Sequence, residues 1–273
     1  MLAPLLDGVN SRKRTRRCSI KLARGRQACG RSLALLALLA LLVGVGVAQV
    51  SVKTIESVQK AVIPVGCVRL DANQNIEFTK IAGSGFFINR EGQFLTAAHV
   101  MLSLDKFSKE NKCSWAIFVP KTSWKSRLND TQLRWFMFTN CRYRAGTDVA
   151  ACKAIVNPFL EADVKNNVST LSFSSFKTYG DGSAVAFTGF PLGIVFPVTS
   201  KGYIASYLPI EQKLIIDKTA WPGASGSPVY DEKGKVIGLL IERGLNDAAG
   251  LSFARPADFI LNFLRENNIP TEQ

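Results

Sequence analysis

From about Ser51 onward the chain breaks into short runs, apolar or alternating apolar with polar, separated by turn residues. That spacing belongs to antiparallel strands whose faces are buried in a barrel or sandwich. The runs are "GSGFFINREGQFLT", "SWAIFVP", "SAVAFTGFP", "VTSKGYIASYL", "KLIID", "SPVYDEKGKVIGLLIE" and "GLSFARP". Two of them contain their own reversal: "INREGQF" and "VYDEKGKVI" set charged residues and a glycine between β-prone arms, where a hairpin needs polar, φ-permissive residues. The period changes at the end. In "PADFILNFLREN", Pro256 suits a first helical turn and Phe259, Ile260, Phe263 and Leu264 share one face, which predicts a helix docked on the sheets. The polar stretch at residues 157–175 is the candidate linker between two β halves, and the sequence carries no internal repeat.

The start of the chain follows a different rule. Residues 1–32 hold nine Lys or Arg and one Asp, and an uncharged, strongly apolar stretch follows at 33–50, whose most apolar part is Leu33 to Ala48. This predicts an N-terminal hydrophobic helix behind a basic segment. It is long for a signal peptide core and short against the roughly 20 residues that cross a bilayer. Two readings stay open: an uncleaved signal anchor, preferred for its long basic flank, and a signal peptide cut after Ala48. Either leaves the basic end in the cytoplasm and the remainder, residues 51–273, across a membrane. The start also has the look of a mitochondrial presequence, and "TRRCSIK" of a twin-arginine signal, neither specifically. Of the formal charge of +13, +8 belongs to residues 1–32. The mildly basic body has no basic-aromatic repeat, so no nucleic-acid partner is expected.

Cys67, Cys113, Cys141 and Cys152 lie in the body. An extracytoplasmic setting would permit disulfides among them, and three pairings are open. With no CxxC pair and one histidine, neither a metal nor another cofactor is expected. Asn129 and Asn167 head N-x-[ST] acceptors that count only in a eukaryotic secretory setting.

The one histidine is His99, in "FLTAAHVM". If the chain uses an imidazole to move protons, His99 is that residue; a hydrogen-bonded structural histidine is the alternative. In "AWPGASGSPVYD", Gly223 and Gly226 flank Ser225. Nucleophilic serine chemistry needs a hydroxyl on such a turn, with nearby N–H groups aimed at a developing oxyanion. Ser225 is the candidate nucleophile, and the N–H groups of Gly223 and Ser225 are the candidate oxyanion donors. An ordinary Gly-Ser turn is the alternative. A carboxylate should orient the imidazole, and six aspartates lie between His99 and Ser225. Asp148 stands out because it opens the apolar run in "TDVAACKAIV", whereas Asp130, Asp163 and Asp181 sit among polar residues. Asp148 could instead cap a turn through Thr147 and the following amides.

The blocks "GSGFFINREGQFLTAAHV", "GTDVAACKAI" and "DKTAWPGASGSPVYDEKGKVIGLLIE", in that order, resemble the three active-site blocks of trypsin-like serine proteases. The likeness is closest to the HtrA (DegP-like) branch: "GSGF", "TGFPLGIVFPVTSKGYIAS" and Asp217 eight residues before Ser225 all look like it. The resemblance covers roughly Ser51 to Asn268. It implies an all-β chymotrypsin-like fold, two perpendicular six-stranded antiparallel barrels with a C-terminal helix and the site in the cleft between them. On that basis barrel 1 takes about 51–156, the linker about 157–175, and barrel 2 with its helix about 176–273. The resemblance also implies roles: Ser225 as nucleophile, His99 as general base then acid, Asp148 as orienter, and polypeptides as substrates. An esterase of the α/β-hydrolase kind is excluded, since His99 precedes the serine and Ser227 replaces the last glycine of G-x-S-x-G.

Ala224 stands where digestive relatives carry an Asp that receives a freshly cut N-terminus, so no activation by cleavage is expected. HtrA relatives usually have Asn there and Gly in place of Ser227. Only 48 residues follow Ser225, too few for a PDZ domain after the barrels close. Thr219, Trp221 and Leu239 in the "GLLIERG" strand are expected to border a pocket for small aliphatic side chains. The sequence thus points to an extracytoplasmic serine endopeptidase, membrane-tethered or secreted. The alternative is a protease-fold binding module with weak catalysis.

Overall fold

The computed structural model describes residues 49–272 apart from 74 and 125–131. The expectations for the basic and hydrophobic leader, for Asn129 and for Asp130 lie outside the described residues. Twelve strands close into two six-stranded barrels. In the first, β1 (Val62–Leu70), β2 (Ile76–Phe87), β3 (Gln93–Thr96), β4 (Ser114–Pro120), β5 (Leu133–Arg144) and β6 (Val149–Ala154) follow the spatial order β1-β2-β3-β6-β5-β4. The second holds β7 (Ala184–Gly189), β8 (Val198–Leu208), β9 (Lys213–Ile216), β10 (Pro228–Tyr230), β11 (Val236–Arg243) and β12 (Ser252–Pro256), in the order β7-β8-β9-β12-β11-β10. Strand for strand this is the order of the first barrel, so the halves repeat one topology although the sequence shows no repeat. All neighbouring strands are antiparallel, and closure leaves each barrel without a free edge.

Both hairpins read from the sequence are present, and their turns are held by side chains. Asn89 Oδ1 accepts from the amides of Glu91 and Gln93 between β2 and β3. Asp231 Oδ1 does the same for Lys233 and Lys235 between β10 and β11. These are the local turns that Asn and Asp favour, and Gly92 and Gly234 supply the left-handed backbone at φ 79° and 81°.

Among the described residues three α-helices accompany the barrels. The last, α3 (Ala257–Glu266), buries Ile260, Phe263 and Leu264 as its pattern predicts. The other two were not foreseen. Helix α1 (Val52–Gln59) starts at Ser51, whose hydroxyl accepts from the Thr54 amide, an ordinary N-cap. Helix α2 (Ala98–Asn111) follows β3 without a loop and buries Ala98, Val100, Met101 and Leu104.

The chain between β6 and β7 is fastened to both barrels. Leu171 N–H donates to Phe87 O of β2, and the Val236 amide of β11 donates to Ser172 O while its carbonyl accepts from Ser174. The main apolar core crosses from one barrel to the other, bringing Val62, Phe86 and Phe94 together with Tyr230, Leu239, Ile260 and Phe263. A second cluster, including Val185, Ile216, Val229 and Ala254, fills the inside of barrel 2.

Of the three pairings open to the body cysteines, the fold makes Cys67–Cys113 and Cys141–Cys152. Both lie in barrel 1. The first ties β1 to the entry of β4 across a sequence separation of 46, the second ties β5 to β6 across 11. Loop-closure entropy assigns about 4 kcal/mol to the longer loop and about 3 kcal/mol to the shorter. In urea unfolding, Cys67→Ala/Cys113→Ala is therefore expected to lower the midpoint more than Cys141→Ala/Cys152→Ala. The reverse order would mean that packing, not chain entropy, sets what these bonds contribute.

Candidate active site

His99 is the second residue of α2, a helix whose start lacks a side-chain cap of its own because Ala97 occupies the N-cap. Asp148 supplies it from barrel 1's far side in sequence. Its Oδ1 accepts from the His99 backbone amide at 2.8 Å, and its main-chain carbonyl accepts from the Ala98 amide at 3.3 Å. Its other carboxylate oxygen, Oδ2, lies 2.7 Å from His99 Nδ1. A carboxylate accepts only, so Nδ1 is the donor, and in the neutral form of the ring that leaves the lone pair on Nε2. Asp148 reaches this position from a 3-10 turn at Ala145–Thr147, adopting φ 54° and ψ 40°. Aspartate tolerates that left-handed backbone better than most residues. The side chain is 23% exposed and that of His99 46%, so the pair sits at the edge of the barrel rather than inside it.

The other aspartates are engaged elsewhere or solvated. Asp163 lies 2.5 Å from Arg134 Nη1, Asp105 lies 2.6 Å from Lys109 Nζ, and Asp181 and Asp217 are exposed.

Ser225 belongs to barrel 2, on the turn between β9 and β10. Ala224 N–H donates to Trp221 O and Ser227 N–H to Ala224 O, two tight turns in succession. Gly223 and Gly226 take φ 92° and 88° to allow them. At Gly226 the constraint is also one of space, for a Cβ there would lie 2.0 Å from Ser84 O, 2.6 Å from Thr96 Oγ1 and 3.1 Å from Ala97 N. The turn thus lies directly on the β3–α2 junction that presents His99. Ser84 N–H donates to Ser225 O at 2.9 Å across the same seam.

The Gly223 backbone is held from both sides. Leu192 N–H donates to Pro222 O at 2.7 Å, and Ser84 Oγ donates to Gly223 O at 2.8 Å while accepting from Phe190 N–H at 2.8 Å. The N–H groups of Gly223 and Ser225 have no protein acceptor among the described residues, and Ser225 Oγ has no hydrogen bond to the imidazole.

Ser227, which replaces an expected glycine, is fully buried, and its Oγ has no hydrogen-bond partner. The hydroxyl is stowed against Gly189, where a Cβ would come within 2.0 Å of it. Of the proposed pocket residues, Trp221 is 55% exposed and Thr219 Oγ1 donates to Ala249 O. Leu239 corrects the expectation, having no exposed surface and sitting in the core that joins the barrels. From the same strand it is Ile241 and Glu242 that border the depression beside His99, with Ala98, Leu102, Asp148 and Arg255.

Two contributors escaped the sequence reading. Ser84 was read as part of a family mark, with no role; its signal was a lone hydroxyl between two glycines at the end of a strand. Arg255 was passed over inside the run "LSFARP". It is 5% exposed, and its guanidinium donates to three main-chain carbonyls, those of Thr147, Glu211 and Gln212.

A family model described as a trypsin-like peptidase domain matches residues 83–239. By sequence the chain is 30% identical over 192 residues to "Serine protease HTRA2, mitochondrial" of Drosophila virilis, and equally to that of Drosophila erecta. Each alignment takes in 67% of this chain and 38% of the relative, so the chain spans well under half the length of these curated relatives. By structure it is similar to the chain titled "Crystal structure of Deg5", with a TM-score of 0.57 at 17% identity, covering 77% of this chain and 90% of that one. That likeness concerns the fold. The family match runs from the seam glycine Gly83 to Leu239 and takes in His99, Asp148 and Ser225, all within a pair of barrels of one topology, and on that ground the chain belongs to the trypsin-like peptidase family.

Proposed function

We propose that this protein is a serine endopeptidase that cleaves polypeptides through an acyl-enzyme, with Ser225 as nucleophile, His99 as general base and then acid, and Asp148 as the group that orients the imidazole. The observation that carries the reading is the Asp148 carboxylate spanning His99 N–H and Nδ1. It fixes both the ring and its tautomer, which directs Nε2 to accept the serine proton. Ser225 Oγ then attacks the scissile carbonyl. The Gly223 and Ser225 amides stabilise the oxyanion, and the imidazolium returns its proton to the leaving amine. Water repeats the sequence on the acyl-enzyme.

Family membership and the likeness to HtrA-type proteases support this reading. The two disulfides support an oxidising, extracytoplasmic setting. No helix among the described residues is long and apolar enough to cross a membrane, so tethering rests on the leader's composition alone, with secretion as the other arrangement. A second reading, a protease-fold binding module with weak catalysis, is favoured by one observation, the missing hydrogen bond between Ser225 and His99. Labelling with a fluorophosphonate separates the two, since only an activated serine reacts quickly.

Ser225→Ala is expected to abolish both labelling and peptide cleavage, with a loss in kcat of about 10⁶-fold in the manner of such triads, while near-UV circular dichroism stays that of the parent. Cleavage retained by the purified Ser225→Ala protein would sink the mechanism.

Asp148→Asn is expected to lower kcat by about 10⁴-fold, because an amide N–H in place of the acceptor favours the wrong tautomer. The loss should ease at high pH. Asp163→Asn and Asp181→Asn are expected to leave kcat nearly unchanged. Near-parental turnover in Asp148→Asn would remove that residue from the mechanism.

Ala224 is 3% exposed and packed in the barrel 2 core, offering no charge to a new N-terminal ammonium. A protein with a blocked N-terminus is accordingly expected to label at the same rate as one with a free amine. Activity that appears only after a defined cleavage would show this to be wrong.

A further inference from the structure

We propose that Arg255 is a positioning residue for this site, a buried side chain reaching out of barrel 2 whose fork fixes the turn carrying Asp148 and so aims the carboxylate at His99. The inference rests on the function proposed above.

The geometry comes first. Arg255 lies on β12 opposite Leu239 of β11. Its Nε donates to Thr147 O at 2.8 Å, and Thr147 is the residue whose carbonyl leads into Asp148. Its Nη1 donates to Glu211 O at 3.0 Å and Gln212 O at 2.7 Å, in the β8–β9 turn. One planar side chain therefore joins three segments: β12, the 3-10 turn of barrel 1, and a turn of barrel 2. Two of the carbonyls it holds belong to or adjoin residues with left-handed backbone, Gln212 at φ 54° and Asp148 at φ 54°. Each is a conformation that needs outside support. A fork of fixed N–H directions suits this task, and a lysine ammonium does not reproduce it.

Charge comes second. Among the described residues Arg255 makes no ion pair within 4.0 Å, so its charge is met by carbonyl dipoles and by Asp148 at longer range. Burial presses the guanidinium below its ordinary value, and Asp148 opposes that shift; an arginine stays cationic throughout.

The other charged and titratable groups around the depression are the Lys213 ammonium, 2.7 Å from Glu242 and 3.7 Å from Glu211, the Tyr207 phenol, and the Arg144–Glu266 pair behind the turn. The ion pairs largely cancel and lie at the surface, where solvent screens them. Arg255 is the charge that solvent does not reach.

His99 is the only histidine of the chain, so its Nδ1–H proton, held by Asp148, gives one resonance without overlap. The experiment records that resonance and the plateau rate of fluorophosphonate labelling in the full chain, in Arg255→Met and in Arg255→Lys. Both variants lose the fork and are expected to label several-fold more slowly and to show the Nδ1–H resonance moved upfield or broadened, with near-UV circular dichroism unchanged. A parental resonance and labelling rate in folded Arg255→Met protein overturn the proposal. Should Arg255→Met fail to fold, Arg255→Lys decides by the same two readouts. If the parent protein does not label at all, the proposed catalysis fails, while the resonance still tests what Arg255 does to the Asp148–His99 contact.

Discussion

Everything in this site depends on two stretches of main chain touching. Gly226 of barrel 2 lies so close to the carbonyl of Ser84 in barrel 1 that no side chain fits between them, and Ser84 N–H bonds to Ser225 O across the gap. This contact registers the barrels to each other at the level of backbone atoms, which is stiffer than registration through long side chains. Ser84 then uses its remaining groups on both sides: its carbonyl accepts from Thr96 Oγ1 just before α2, and its hydroxyl grips Gly223 O and Phe190 N–H. The positions of the serine, of the amides beside it and of the histidine are thus tied to one residue.

The seam is also where the main core is continuous. Apolar side chains from both barrels and from α3 form a single cluster across it, so sliding one barrel against the other would open that cluster. Close-packed interiors resist such displacement. The chemistry proposed here needs a base from one barrel and a nucleophile from the other held to a fraction of an ångström. Continuous packing behind the backbone contact meets that need without a disulfide between the halves. The disulfides serve barrel 1 alone, where β1, β4, β5 and β6 are joined.

Much of this was legible in the sequence because it is local. The hairpins announced themselves through Asn89, Asp231 and their glycines, and α3 through the spacing of Ile260, Phe263 and Leu264. Ser225 stood between glycines that only a tight turn requires. What could not be read is non-local. The repeated topology of the barrels leaves no trace in the residues, since each barrel needs only alternation and not any particular side chain. Leu239 was misplaced because β11 is buried from Val236 to Ile241; with both faces covered, alternation no longer says which residue meets solvent. Nothing in the run "LSFARP" marks Arg255, and only the fold shows it turned inward onto carbonyls. Asp148 was chosen for the apolar run behind it, and Val149 and Ala150 are indeed buried. The reason was incomplete, for the carboxylate is held at least as much by the amide at the start of α2.

That last bond has a consequence for how such chains should be read across evolution. Asp148 closes the open end of a helix whose own N-cap position holds an alanine, and an acid at a helix start is stabilising whether or not any reaction takes place there. A descendant that had lost its serine, and all turnover with it, would still be under pressure to keep the aspartate for the sake of α2. Persistence of this one residue is therefore poor testimony to activity, whereas the histidine ring and the serine hydroxyl, which support no comparable piece of architecture, are the positions where drift would first record a change of trade.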